Sequence, residues 1–558
     1  MKKLGLILLA IIVLLVIAAL LYFKSDTNDP YPKTEWGRFS GSCDIKDVPE
    51  ENFGKTYHSC DYSVPKAEIP VFKKESFSFK NKFDGKRTLP LVGSALIDVD
   101  GDGIDEVFIA GGIDDEDAIF QYKDDGFVKM DVNIPTKPSN AKTLGVVSFD
   151  LDNDGRTDLL LSGDYGVLWY LNTGDGFSAT KIVVPVNEKI VPASLTLGDI
   201  DQDGDADMFV SGYIKLEAME GQTIFKDFNY GGSSLLMLNN GDNTFTDATE
   251  SYGLTYVHNT FCAVLVDVDK DGFLDLVVAH DTGEVRTYKN ENGKSFTKKT
   301  NPTTGKYAYP MGIAVGDYNN DGNIDFFFSN TGSSVPTFMA RGDLEKEDVF
   351  ISDWLLFKNN GNFTFTDVAK ETKVADFEFS WGALFQDFNL DGLQDLVVSE
   401  NYVAFPPHKL FKLPGRFLLQ RQDGTFAAVE DQAKVINKNY GITPLTSDFN
   451  QDGYPDLVFT NISGPVQAHI NTGGKANFIA IRLPENAKYA GAIVTVTKSD
   501  GQSLTDTYVI GEGLASDQTS TLTFGLGDTD SIKGVKIALA DGSTMDMPDP
   551  KVNQINRL

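Results

Sequence analysis

The chain has 558 residues, 41% of them hydrophobic and 23% charged, with 80 acidic against 49 basic side chains and a formal net charge of −31. That length accommodates a large core or two domains. The acidic balance argues against nucleic acid and against anionic membrane surfaces as partners.

In chain order, Met1-Lys-Lys is followed by an unbroken apolar run over 4–23. Twenty helical residues at about 1.5 Å each span about 30 Å, enough to cross a bilayer. The run ends Ala18-Ala-Leu-Leu-Tyr-Phe-Lys24 without a small-x-small cleavage site, so residues 1–24 read as a membrane anchor or an uncleaved signal. The positive N-terminus predicts that the bulk of the chain lies outside the cytoplasm, periplasmic or at the cell surface. Residues 25–75 read as an irregular linker, in which Cys43 and Cys60 either pair in an oxidising compartment or stay as thiols.

Residues 76–474 carry one nine-residue acidic cassette seven times, at starts 49–70 residues apart. Position one is Asp98, Asp150, Asp199, Asp267, Asp317, Asp387 and Asp448. Position three is Asp100, Asp152, Asp201, Asp269, Asn319, Asn389 and Asn450. Position five is Asp102, Asp154, Asp203, Asp271, Asp321, Asp391 and Asp452. Position nine is Glu106, Asp158, Asp207, Asp275, Asp325, Asp395 and Asp456. Position seven offers a backbone carbonyl, at Ile104, Arg156, Asp205, Phe273, Asn323, Leu393 and Tyr454. Position six is always Gly, which permits the left-handed backbone of a tight curl.

An all-oxygen set of carboxylates, amides and carbonyls suits a hard cation, and Ca²⁺ better than Mg²⁺. Carboxylates this close repel one another unless a cation sits among them. A plain solvated turn needs no carboxylates at alternate positions. We therefore expect up to seven Ca²⁺, held more weakly where Asn takes position three. An EF-hand is excluded: its twelfth position is Glu between helices, whereas here that position is Ile109, Leu161, Val210, Val278, Phe328, Val398 and Phe459, within short β-branched or aromatic runs.

Repeats of this length, with about four strands each, predict an all-β fold: a seven-bladed β-propeller with the cassette between strands A and B and an Asn/Gly turn between strands C and D. Such turns stand at Asn172-Thr-Gly174, Asn239-Asn-Gly241, Asn290-Glu-Asn-Gly293 and Asn359-Asn-Gly361. Longer spacings predict insertions near 213–232, 331–352 and 401–416. The ring needs closing. Segment 76–80 is the expected last strand, with 477–482 as its competitor. Cys262 reads as a small buried hydrophobe. Past residue 475 the cassettes stop, and alternating segments at 478–483, 493–498, 505–510, 521–524 and 535–539 predict a small antiparallel β-domain over 475–558.

Cassettes flanked as in Met311-Gly-Ile-Ala-Val-Gly-Asp317 and Ser380-Trp-Gly-Ala-Leu-Phe-Gln-Asp387 resemble FG-GAP/VCBS repeats. The tail resembles the ASPIC/UnbV domain, in Asn477-Phe-Ile-Ala-Ile, Gly491-Ala-Ile-Val-Thr-Val, Gly511-Glu-Gly, Phe524-Gly-Leu-Gly527 and Asp541-Gly542. Together they resemble the cartilage-acidic-protein-like family, over about residues 90–550. The resemblance implies a calcium-loop propeller and a tail domain, and leaves activity undefined. Two positions depart from the pattern: Asn486-Ala487-Lys488 stands where the family has Asn-Arg, and Leu539-Ala540 where it has Trp-Pro.

The leading functional expectation is a binding or adhesion module, engaging protein or glycan through the propeller loops and the membrane through the N-terminal helix, with structural calcium and no catalytic residues. The alternatives are an enzyme acting on an extracellular glycan or other polymer, and a structural subunit of a membrane-associated assembly. Five histidines, and no GxSxG, HExxH or CxxC, give the enzyme reading little support. His258 and His280 flank the fourth cassette, where a structural role is expected. Arg341-Gly-Asp343 reads as a chance tripeptide.

Overall fold

The computed structural model describes residues 68–81, 89–113, 115–139, 141–182, 184, 189–219, 224–332, 340–401, 413–437 and 439–558. The expected anchor and the Cys43/Cys60 pair lie outside them. Among the described residues no helix is long and apolar enough to cross a membrane.

Seven antiparallel sheets, each containing one cassette, account for residues 72–471. Sheet two shows the plan: strand A Thr143–Phe149, strand B Asp158–Gly163, strand C Gly166–Asn172 and strand D Phe177–Ile182, paired in that order. Strand A is buried along its whole length. It reads as a continuous apolar run because both its faces are covered by neighbouring sheets. The A strands follow one another around a ring, from Ser94–Ile97 through Thr143–Phe149, Ile190–Gly198, Thr260–Val266, Ile313–Gly316 and Ser380–Gln386 to Tyr440–Ser447 and back. This all-β arrangement of four-stranded sheets is consistent with a propeller.

The ring closes as the sequence suggests. Phe72–Lys80 pairs with Pro465–Asn471 as strand D of sheet seven, in register from Phe72↔Asn471 to Phe77↔Val466. The strand starts at Phe72, so the expected linker boundary at 75 falls inside it. The competitor, Asn477–Arg482, is the central strand of a tail sheet, between Thr521–Gly527 and Ile555–Arg557. A second tail sheet runs Ser503–Thr507, Ile493–Lys498, Ile532–Ala538, Thr544–Asp546. Cys262 is a free, buried thiol, as expected.

The tail is less separate than its sequence implies. Its apolar residues Ile479, Ile481, Val494, Val496 and Phe524 share one core with Phe149, Leu195, Leu197 and Met208 of sheets two and three. The segment expected as a strand over 505–510 leaves the tail sheet at Thr507 and enters the ring axis. There, Ser516–Asp517 adds to Ser94–Ala95 as a parallel fifth strand of sheet one. Ile510 O accepts from Thr196 Oγ1 at 2.7 Å, and Gly513 exchanges two backbone bonds of 2.9 Å with Ile313. Asp517 Oδ2 accepts from Ser148 N and Oγ at 2.9 and 3.0 Å, and Ser516 Oγ meets Thr443 Oγ1 at 3.0 Å. The tail thus fills the axis, bonding to inner strands of sheets one, two, three, five and seven. Gly511 explains its own identity: φ is +86°, and a Cβ would run into the carbonyl of Leu195.

Gly511→Val should therefore expel the axial segment. The expected result is a loss of about 3 kcal/mol in unfolding free energy, read by thermal melting, with sheet one losing amide protection first.

Candidate cation centres

The cassette shapes itself before any ion is considered. Position four is left-handed in all seven copies, with φ from +54° to +75°, and the position-six glycines follow at +86° to +97°. This curl turns loop amides inward. In the second copy Asp150 Oδ1 accepts from Asp154 N at 3.0 Å and Oδ2 from Gly155 N at 2.9 Å. The same pair recurs at Asp199, Asp267, Asp317, Asp387 and Asp448, at 2.7–3.1 Å. Position five accepts the N–H of position seven in every copy, as from Phe273 to Asp271 at 3.1 Å.

Three carboxylates offer oxygens lying within 4.8 Å of one another in four copies: Asp98, Asp100 and Glu106; Asp150, Asp152 and Asp154; Asp199, Asp201 and Asp203; Asp267, Asp269 and Asp271. Copies five to seven have Asn at position three and form no such acidic triad. In copies two to four the position-nine Asp stands outside the triad. Its oxygens fasten the blade instead: Asp275 Oδ2 accepts from Val268 N at 2.9 Å, and Oδ1 from Asn290 N at 2.8 Å. Asp207, Asp395 and Asp456 repeat this arrangement.

The residues fit a cation. Asp98 Oδ1, Asp201 Oδ1 and Asp269 Oδ1 are buried and accept no hydrogen bond, a costly state for a carboxylate oxygen that a cation relieves. Burial raises Asp199 and Asp267 to about 6, Asp317 and Asp448 to about 7, and Asp207, Asp275 and Glu106 to about 8, with neighbouring carboxylates adding to the shift. When bound, a hard divalent ion would draw on positions one, three and five in copies two to four, and on one, three and nine in the first, and would supply the missing positive charge.

One set of residues was read in the sequence only as turn-formers. Asn290, opening the C–D turn of sheet four, donates its Nδ2 to Leu274 O of its own cassette at 3.1 Å and to Ile200 O of the preceding cassette at 2.9 Å. Asn359 and Asn471 bolt neighbouring cassettes in the same way, and Gln420 reaches Tyr318 O at 3.0 Å. The available signal was the repeated offset from Asp275 to Asn290 and from Asp456 to Asn471. Basic side chains also enter the loops: Lys289 pairs with Asp269 and Asp271, Lys358 with Asp321 at 3.2 Å, and Arg156 with Asp154.

A family model described as an FG-GAP-like repeat matches residues 98–161, 150–210 and 267–328, and one described as ASPIC and UnbV matches 483–558. The chain carries FG-GAP-like repeats over the first three of these stretches and an ASPIC and UnbV domain over the last. Copies six and seven fall outside those matches, yet their loops close through the same bonds as the second. The FG-GAP-like chain is distantly homologous to cartilage acidic protein 1: 25% identical to that of Xenopus tropicalis over 375 residues, 62% of this chain and 54% of that protein. With the Homo sapiens protein it shares 22% over 348 residues, 58% of this chain and 49% of that one. The matches thus span about half the length of these relatives. Among solved structures it is similar to the BP39L lectin from Burkholderia pseudomallei (11% identical, 70% of this chain and 98% of that one, TM-score 0.43) and to BBS1N in complex with ARL6DN (11%, 72% and 97%, TM-score 0.41).

His258 and His280 do approach each other, with ring centroids 6.0 Å apart. Both are buried, and burial pushes both below the usual imidazole range. His258 Nε2 bonds Thr282 O at 2.7 Å and His280 Nδ1 bonds Thr260 Oγ1 at 2.9 Å. Both rings are thereby fastened to the inner part of sheet four.

Two outcomes follow from these contacts. Carboxylates raised from about 4 in the unfolded chain to about 8 make the chelated protein lose stability as pH rises between those values. With saturating Ca²⁺ the sign reverses, because ionised ligands bind the ion more tightly; melting curves at pH 5 and pH 8, with and without chelator, test this. Asn290→Ala leaves two buried carbonyls unpaired and should cost about 2 kcal/mol, measured by urea denaturation.

Proposed function

We propose that this chain is a seven-bladed, calcium-stapled propeller held outside the cytoplasm by its N-terminal apolar segment, and that it works as a binding and adhesion module through the face opposite its tail. The observation that carries this reading is the position of the tail. It covers the cassette side: Asp150 N donates to Glu485 O at 2.7 Å, Gln202 Nε2 to Ala540 O at 3.0 Å, and Gly272 leaves room for Gly542. Strand order then sends the three long B–C connections, between Ile214 and Leu235, Phe328 and Leu355, and Glu400 and Arg416, to the other face. Calcium on this reading is structural, and loops of modest affinity suffice where free calcium is about millimolar.

Two of these connections clasp each other. Phe225 is buried among Tyr307, Tyr309 and Phe350, with ring centroids 5.2–6.1 Å away. Asp343 accepts from the Phe225 and Lys226 amides at 2.7 and 3.2 Å, and Arg341 Nη2 donates to Asp348 O at 3.0 Å. Both charged ends of the Arg341-Gly-Asp343 tripeptide are therefore engaged inside the clasp. Beside it Phe228 and Val349 are 68% and 52% exposed, the kind of apolar surface that marks a contact. A broad array of glycans and extracellular proteins, probed in millimolar calcium, should give binding that falls about tenfold in a Phe228→Asp, Val349→Asp variant. Turnover of an arrayed polymer, or binding indifferent to both substitutions, would count against the proposal.

A further inference from the structure

The first cassette differs from the other six in what lies against it. Only here is position eight a carboxylate, Asp105, where the others have Thr157, Ala206, Leu274, Ile324, Gln394 and Pro455. Asp105 is 2% exposed and takes no part in the triad of Asp98, Asp100 and Glu106. It faces the tail. Arg482, the last residue of the central tail strand, donates Nη1 to Asp105 Oδ1 at 2.9 Å and to Thr521 Oγ1 at 3.3 Å. Its Nη2 lies 3.3 Å from Glu485 Oε1 and 3.6 Å from Asp98 Oδ2, the position-one carboxylate of the cassette. Arg557, register partner of Arg482 on the neighbouring parallel strand, donates to Asp102 O at 3.1 Å and packs its guanidinium onto Gly103, where any Cβ would collide with it.

Burial opposes charge on Asp105, yet Arg482 and the Ser447 hydroxyl hold its carboxyl below the usual range. The Arg482–Asp105 pair is therefore charged and desolvated, the class of contact whose one-sided removal is expensive. Two guanidinium groups of the tail thus bring to the first loop the positive charge that Arg156, Lys289 and Lys358 bring to copies two, four and five from within the blades.

We propose that the docked tail lends its own positive charge to the first cassette, so that tail docking and cation binding at this cassette oppose each other. Arg482 is the positioning residue. A divalent ion among Asp98, Asp100 and Glu106 would stand a few ångströms from a fixed guanidinium, and like charges at such separation repel. Linkage makes the effect reciprocal: whatever the tail subtracts from cation affinity at this loop, the cation subtracts from tail docking. Affinity at the first cassette is thereby tied to docking of the tail, whereas the basic partners of copies two, four and five come from within their own blades. This inference rests on the cation reading of the cassettes.

The test is calcium titration by calorimetry on the full chain, beside hydrogen exchange of the tail strands. In Arg482→Gln, one calcium site should tighten by about tenfold, with the rest unchanged, while amides of 478–482 and 555–557 lose protection. Arg482→Lys keeps the charge and should keep the weak site, which also controls for a folding defect. Asp98→Asn added to Arg482→Gln should remove the tightened site and so assign it. If Arg482→Gln loosens the tail and leaves every calcium site as it was, Arg482 is an anchor only and the inference fails. If calcium sites weaken instead, docking and loading cooperate, and the inference is again wrong. A wild-type chain that takes up no calcium at any cassette overturns the cation reading itself, a result distinct from both.

Discussion

The contact on which the rest of this molecule depends is made by the carboxylate at position nine of the cassette. In copies three, four, six and seven one oxygen takes the N–H of position two, which fixes the A–B loop, and the other takes the N–H that opens the C–D turn. A single buried side chain therefore sets the register between the two connections on one side of a blade. The turn residue it holds, usually Asn, then reaches the neighbouring cassette. The acidic loop is consequently a joint between blades as well as a pocket for a cation, and its position-nine member belongs more to the joint than to the pocket in copies two to four.

This explains what was legible in the sequence and what was not. Strand, loop and blade order were readable because each cassette declares itself by local chemistry: Gly155 must be left-handed, and Leu159, Leu160 and Leu161 must be buried. The closing strand was readable because Phe72–Lys80 carries the same alternation as other outer strands, although its first four residues were assigned to the linker. The division of labour among the carboxylates was not, since Asp154 and Asp158 look alike in a string of letters and separate only when the partners of each oxygen are known. Asn290 was visible but misjudged, because a turn and an inter-blade bolt favour the same residue.

The tail was the least legible part. Its strands alternate as those of any small β-domain do, and alternation says nothing about what covers the outer face. Ile479, Val494 and Phe524 bury themselves against sheets two and three, so the two regions share an interior that no boundary in composition announces. The Gly511-Glu-Gly513 motif has a steric explanation only in the axis, where Gly511 lies against Leu195 and Gly513 against Ser516 and Thr443. Arg482 likewise has no meaning until Asp105 lies beside it, 377 residues away in sequence.

Closure of sheet seven by Phe72–Lys80 has a kinetic consequence. That strand is synthesised before any of the other six sheets, yet its partner, Pro465–Asn471, comes nearly four hundred residues later. Through that interval the early strand has a bare edge, a known route to wrong pairing. Bringing the ends of so long a loop together carries an entropy cost that grows slowly with length, while the dominance of distant pairings slows the search. Closure of this ring is thus a late event, since the closing pair forms only after the last cassette has been made.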